Sequence, residues 1–203
     1  MSGIVAENSA RHSGLIKSAS GGGAWTLIET LTASSSATLD FTSGIDGTYD
    51  EYIFKCIGIH RETNSAEFGF QANAAGGSGY NETITSASFD IYHAEDDSYL
   101  VFGYNGGEDQ AQGTGLQHLV ENSFNANDSA DAGYLHLFNP SSTTFQKNFM
   151  TRFNYTHANS GIRDTFIGGY INTTAAIDAV QFKMSTGNID AGTISLFGIS
   201  WLT

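Results

Sequence analysis

Six histidines, one cysteine and 21 acidic residues are the side chains of this 203-residue sequence that could ligate a metal or move a proton. A structural or catalytic zinc needs three or four such ligands gathered at short, regular spacing. The histidines are instead dispersed and no HExxH occurs; His93-Ala94-Glu95 matches half of the zinc-deaminase pattern, but no Pro-Cys-x-x-Cys follows. His136, inside Tyr134–Phe138, reads as a packed strand residue. Cys56 sits in the apolar run YIFKCIGI and reads as a buried, inert thiol; a single cysteine makes no internal disulfide.

Oxygen-rich loops at Glu95-Asp96-Asp97, Glu108-Asp109 and Asn125–Asp131 are the next candidates. Asn125, Asn127, Ser129 and Asp131 alternate as calcium ligands could, yet the glycine and closing glutamate of an EF-hand loop are missing, so a solvated loop is the reading. Paired carboxylates could hydrolyse a glycoside only at a definite separation, which spacing along the chain does not supply. Ser88 and Ser141 stand outside any G-x-S-x-G, and the glycine runs Gly21–Gly23 and Gly76–Gly79 lack the Lys-Ser/Thr ending of a phosphate loop. Tyr80, Tyr99 and Tyr104, among Asn and Asp residues, could stack on sugar rings, which makes carbohydrate a possible partner. No catalytic residue, metal ligand or cofactor is assigned, and the chain reads as a non-enzyme.

Charge narrows the partners. Eight Lys and Arg against 21 Asp and Glu give a net charge of −13, which repels polyphosphate and anionic membrane surfaces, so neither nucleic acid nor a membrane is expected as a partner. The longest apolar stretches, such as Ile53–Ile59 with Lys55 inside it, fall well short of the ~20 residues that span a bilayer. The start MSGIVAENSARHSG lacks the basic and apolar regions of a secretory signal, and synthesis in a reducing cytoplasm is expected.

The elements that would carry any site are strands. Residues 1–24 are Ser-, Gly- and Ala-rich and end in Ser20-Gly21-Gly22-Gly23, which reads as an extended N-terminal arm with a glycine hinge. From Trp25 onward, short aromatic and β-branched runs are separated by Gly, Asn, Asp and Ser, so residues 25–203 form one β-sandwich domain. Expected strands are 25–31, 37–41, 51–60, 66–72, 84–93, 99–104, 115–120, 133–138, 144–157, 162–171, 179–185 and 192–201. Tyr52, Phe54 and Cys56 alternate with Ile53, Ile57 and Ile59, which predicts a strand that is central or covered on both faces. The one place with room for a helical turn is Thr173–Asp178. About twelve strands without a fixed repeat favour an all-β, antiparallel β-sandwich of jelly-roll type over a propeller or solenoid, and no Cys…Trp…Cys spacing supports an immunoglobulin-like sandwich.

Three stretches carry a resemblance. Trp25–Thr30 with Thr32–Phe41 and Ile45–Tyr52, the central Leu135-His136-Leu137-Phe138-Asn139-Pro140-Ser141-Ser142-Thr143-Thr144, and the closing Gly168–Ile199 resemble a domain of structural proteins from tailed bacteriophages, particularly those of marine and cyanobacterial hosts. The resemblance implies a virion component with a sandwich fold and brings no catalytic residues with it. A shaft-bearing fibre would show heptads or repeats, and none is present. The expectation is therefore a capsid decoration or cement protein on the outer surface of the head, made in the host cytoplasm, which bridges capsomers and whose partners are the major capsid protein and further copies of itself, a homotrimer being favoured. Strong acidity suits the outside of a DNA-filled shell. The arm would anchor it, with Ile4, Val5, Leu15 and Ile16 as apolar contacts and Arg11 and Lys17 as charge partners. The alternative is a tail-associated or fibre adhesion module that binds host carbohydrate; a sugar-active enzyme stands third.

Overall fold

The computed structural model describes residues 25–200, so the arm assigned to residues 1–24, with Ile4, Val5, Arg11, Leu15, Ile16 and Lys17, lies outside the described residues. Twelve strands make up the rest: β1 Trp25–Ser36, β2 Leu39–Phe41, β3 Glu51–Arg61, β4 Phe68–Ala74, β5 Ile84–Ala94, β6 Leu100–Tyr104, β7 Gln117–Val120, β8 Asp131–Phe138, β9 Lys147–His157, β10 Gly161–Ile171, β11 Ile177–Met184 and β12 Ile189–Ile199. They form an antiparallel sandwich of an eight-stranded sheet, β1-β12-β3-β8-β9-β10-β5-β6, over a four-stranded sheet, β2-β11-β4-β7. No helix occurs among the described residues.

The pairing shows how the chain folds back on itself. β1 pairs β12, β2 pairs β11, β3 pairs β8 and β4 pairs β7, each antiparallel. One long ribbon, its two halves far apart in sequence, is thus wrapped so that alternate segments fall in opposite sheets, an order compatible with an eight-stranded jelly roll. Two further hairpins, β5–β6 and β9–β10, are not part of that ribbon. They add β9-β10-β5-β6 to the edge of one sheet; Phe149 and Phe153 of β9 still pack on Phe70 and Phe68 of the four-stranded sheet, while most of β5 and β6 lies past its edge.

Period-two burial drives these strands. In β9 every second residue from Lys147 to His157 is buried while Asn148, Met150, Arg152 and Asn154 are exposed. The core is built on phenylalanine: the Phe182 ring lies 5.3–6.4 Å from those of Phe41, Phe54, Phe68 and Phe70, which ties both sheets together.

Two expectations change. β3 is central as expected, between β12 and β8, with its outer face open at Ile57, which is 52% exposed; what changes is the alternation. A bulge with Gly58 at φ +65° shifts the register beyond Cys56 and turns Ile59 to the buried side, whereas strict alternation would keep it beside Ile57. Thr173–Asp178 holds no helical turn; residues 172–176 cross from β10 in one sheet to β11 in the other, pinned where Ile177 N donates to Pro140 O and Ala175 N to Thr173 Oγ1. The expected turns at Asn139–Ser142 and Ser185–Asn188 are present, with Asn139 at φ +45° and Gly187 at φ +71°.

Candidate functional site

The added hairpins invert the usual polarity of a sheet. On β5 the residues turned inward are Ser86, Ser88, Asp90 and Tyr92, while Phe89 and Ile91 point outward. Cross-strand register continues this on both sides: Phe89 stands between Tyr104 and Phe166, Ile91 opposite Phe102, and His93 between Leu100 and Ile162. The Phe89 and Phe166 rings stack at 4.9 Å, Phe102 meets Phe89 edge-on at 5.6 Å, and the Arg152 guanidinium lies 4.8 Å over Phe166. Leu100, Phe102 and Tyr104 are 71, 69 and 66% exposed. The outer face of β10, β5 and β6 is therefore a contiguous aromatic surface in water, larger than scattered single residues would make it. It runs on towards a hollow of about 420 Å³ lined by Trp25, Ile57, Tyr134 and Arg152.

Behind this face, on the inward side, a polar cluster takes the place of an apolar core. Glu108 is 1% exposed; Tyr155 Oη donates to its Oε1 at 3.2 Å and Ser88 Oγ to its Oε2 at 3.1 Å. Desolvation, reinforced by the nearby Glu121 charge, pushes the Glu108 carboxyl up to about 8, so it is largely protonated at neutral pH. Arg163 Nη1 donates to Glu121 Oε2 at 3.0 Å, and its Nε stands 2.5 Å from Asp90 Oδ2 without hydrogen-bond alignment. Asn105 Nδ2 bridges the same two carboxylates, Asp90 and Glu121, at 3.0 and 3.1 Å. Burial, with the Arg163 charge, holds His157 below the usual imidazole range, so it is neutral at pH 7.

At the turn end of the hairpins this inward face forms a cleft of about 540 Å³ lined by Tyr92, Glu95, Asp96, Tyr99, His157 and Arg163 among others. The Tyr92 and Tyr99 rings lie 5.7 Å apart. A neutral polyol could meet aromatic surface, carboxylate acceptors and a guanidinium donor here. Glu108 does not line the cleft, and Asp96 Oδ1 accepts from both Ser98 N and Ser98 Oγ.

The residues singled out from sequence are scattered by the fold. His93 pairs with Asp97, and Glu95 lies on the cleft rim. Tyr99 lines the cleft, Tyr104 belongs to the outer face and donates to Asp109, and Tyr80 lies elsewhere, beside Asp40. Ser88 is buried against Glu108. His136 pairs with Glu51, between the rings of Tyr134 and Phe138. In the Asn125–Asp131 loop, Asp131 turns inward to the buried Arg61 and accepts from Ser123 Oγ at 2.7 Å, while Asn125 Nδ2 donates to Glu62 O. Among the described residues no three His, Cys, Asp or Glu side chains converge as a metal site would require. Cys56 is buried, and desolvation raises its thiol far above the ordinary range. Sequence reasoning did not single out the outer aromatic face. Its signal is the run Ser86-Ala87-Ser88-Phe89-Asp90-Ile91, whose alternation is plain but whose inward side is not.

Fold and surface together define an antiparallel β-sandwich with an exposed aromatic sheet face. No family model matches the sequence, and searches of curated proteins and of solved structures return no similar protein.

Proposed function

We propose that this chain is a non-enzymatic structural component of a bacteriophage virion, a decoration or cement protein that stabilises the head from its outer surface. One observation carries the building-block part of the reading: β5 turns Ser86, Ser88 and Asp90 inward and Phe89 and Ile91 outward, where Phe102 and Leu100 of β6 and Phe166 and Ile162 of β10 extend the apolar side, the reverse of a strand that ends in solvent. Such a face gains from being covered, at roughly 25 cal/mol for each Å² of apolar surface removed from water. The virion part rests on the resemblance of residues 25–52, 135–144 and 168–199 to phage structural domains. Residues 1–24, proposed as the anchoring arm, carry Arg11 and Lys17 against Glu7 in an otherwise acidic chain.

The test is to label the chain and image purified virions. Label distributed over the head, and lost when residues 1–24 are deleted from a domain that still folds, is the expected result. Label on the tail alone, or none on the particle, overturns it.

The cleft favours a second reading, a tail-associated module that binds host carbohydrate: Tyr92 and Tyr99 offer ring surfaces beside Glu95, Asp96 and Arg163. Tail labelling, together with glycan binding that Tyr99→Ala abolishes, is its expected signature; a tail-bound chain that binds no neutral oligosaccharide excludes it.

A further inference from the structure

We propose that the occupant of the aromatic face is a second copy of this chain, so that β10, β5 and β6 of two protomers pack outer face to outer face. The inference rests on the building-block reading and names the partner of that surface.

Area is the first argument. With aromatic side chains of about 200 Å² each, the exposed fractions of Phe89, Ile91, Leu100, Phe102 and Tyr104 amount to roughly 600 Å² of side-chain surface. A stable interface takes about 800 Å² from each partner, and Ile162 and Met150 at the margin, 43 and 60% exposed, bring the face to that size. Sheets pack face to face in just this way within a sandwich, about 10 Å apart.

Charge is the second. Copies carrying −13 each repel one another over most of their surfaces. On this face the acids are bound: Asp164 accepts a bidentate pair from Arg152, His93 holds Asp97, and the Tyr104 hydroxyl meets Asp109. An apolar field flanked by an Arg152–Asp164 pair that is neutral in itself can meet its own copy without setting like charges against each other. A basic or acidic partner would find no unpaired charge of the opposite sign here to read.

The experiment is sedimentation of the purified full-length chain, with three variants. Wild type is expected to associate with a Kd of about 10 μM or tighter. Phe102→Asp, at an exposed position, is expected to remain folded by circular dichroism and to weaken association by about 30-fold or more. Leu100→Lys should do the same, while Leu27→Asp, 57% exposed on β1 at the opposite edge of the sheet, should leave association intact. A wild-type chain that stays monomeric overturns the proposal, as does an oligomer untouched by Phe102→Asp and Leu100→Lys. Either result leaves the location of the chain on a virion to be decided by imaging, so the two readings fail separately.

Discussion

A protonated carboxyl at neutral pH is the least expected residue of this structure. Glu108 is held neutral because ionisation would put a poorly solvated charge beside Glu121, and the Arg163 charge and the Ser88 hydroxyl offset this only in part. The unfolded chain ionises this group near 4.5 and the folded chain near 8. Between those values the folded state binds the extra proton, so this group's contribution to stability is complete below pH 4.5 and declines as pH rises towards 8. Glu108→Gln keeps the acceptor and removes the titration. The variant is expected to flatten the fall in urea midpoint between pH 5 and 8 and to exceed wild type at the upper end; an unchanged slope would place the pH sensitivity elsewhere. Nothing in Gly107-Glu108-Asp109 distinguishes this glutamate in sequence, because its burial is created by β9 and β5, which lie far from it along the chain.

Strands were legible for a plain reason: a period of two needs no knowledge of the partner. All twelve segments found from runs of Val, Ile, Phe and Tyr reappear as strands, with ends moved by a few residues. What local pattern cannot convey is which side of an alternation faces the core, since that depends on whether a second sheet lies opposite. On β9 the apolar side is covered by the four-stranded sheet, whereas on β5 and β6, beyond that sheet's edge, it is open to solvent. Bulges escape for a similar reason. Gly58 and Gly192 face each other where β3 and β12 slip register, at φ +65° and +118°. A Cβ on Gly58 meets nothing within 4 Å, while one on Gly192 would stand 2.6 Å from the Gly58 carbonyl oxygen. Gly58→Ala should therefore cost about 1 kcal/mol, the penalty of a left-handed residue, and Gly192→Ala roughly 3 kcal/mol through added backbone strain. Equal losses in chemical denaturation would contradict this account of the bulge.

At the scale of the whole molecule, an acidic domain is joined to one sheet face that carries no unpaired acid. Association through such a face sets apolar gain against long-range repulsion between like-charged copies. Screening shortens the repulsion from about 30 Å at 0.01 M salt to about 3 Å at 1 M and leaves apolar contact intact. Self-association should consequently tighten as sodium chloride rises from 0.02 to about 0.5 M, in contrast to an ion-paired interface, which loosens; measured association constants that fall over this range would argue against aromatic packing as the cohesive force. The all-β antiparallel sandwich was within reach of composition and periodicity, but the strand order, and the two hairpins that widen one sheet, were indistinguishable until the partners were known.

The single thiol gives the molecule an internal clock. Cys56 lies on the central strand, 1% exposed and turned into the core between the two sheets, so a soluble disulfide reagent can reach its sulfur only when that packing opens. The rate at which the reagent consumes the thiol then counts separations of the middle of the molecule, without any label having been introduced.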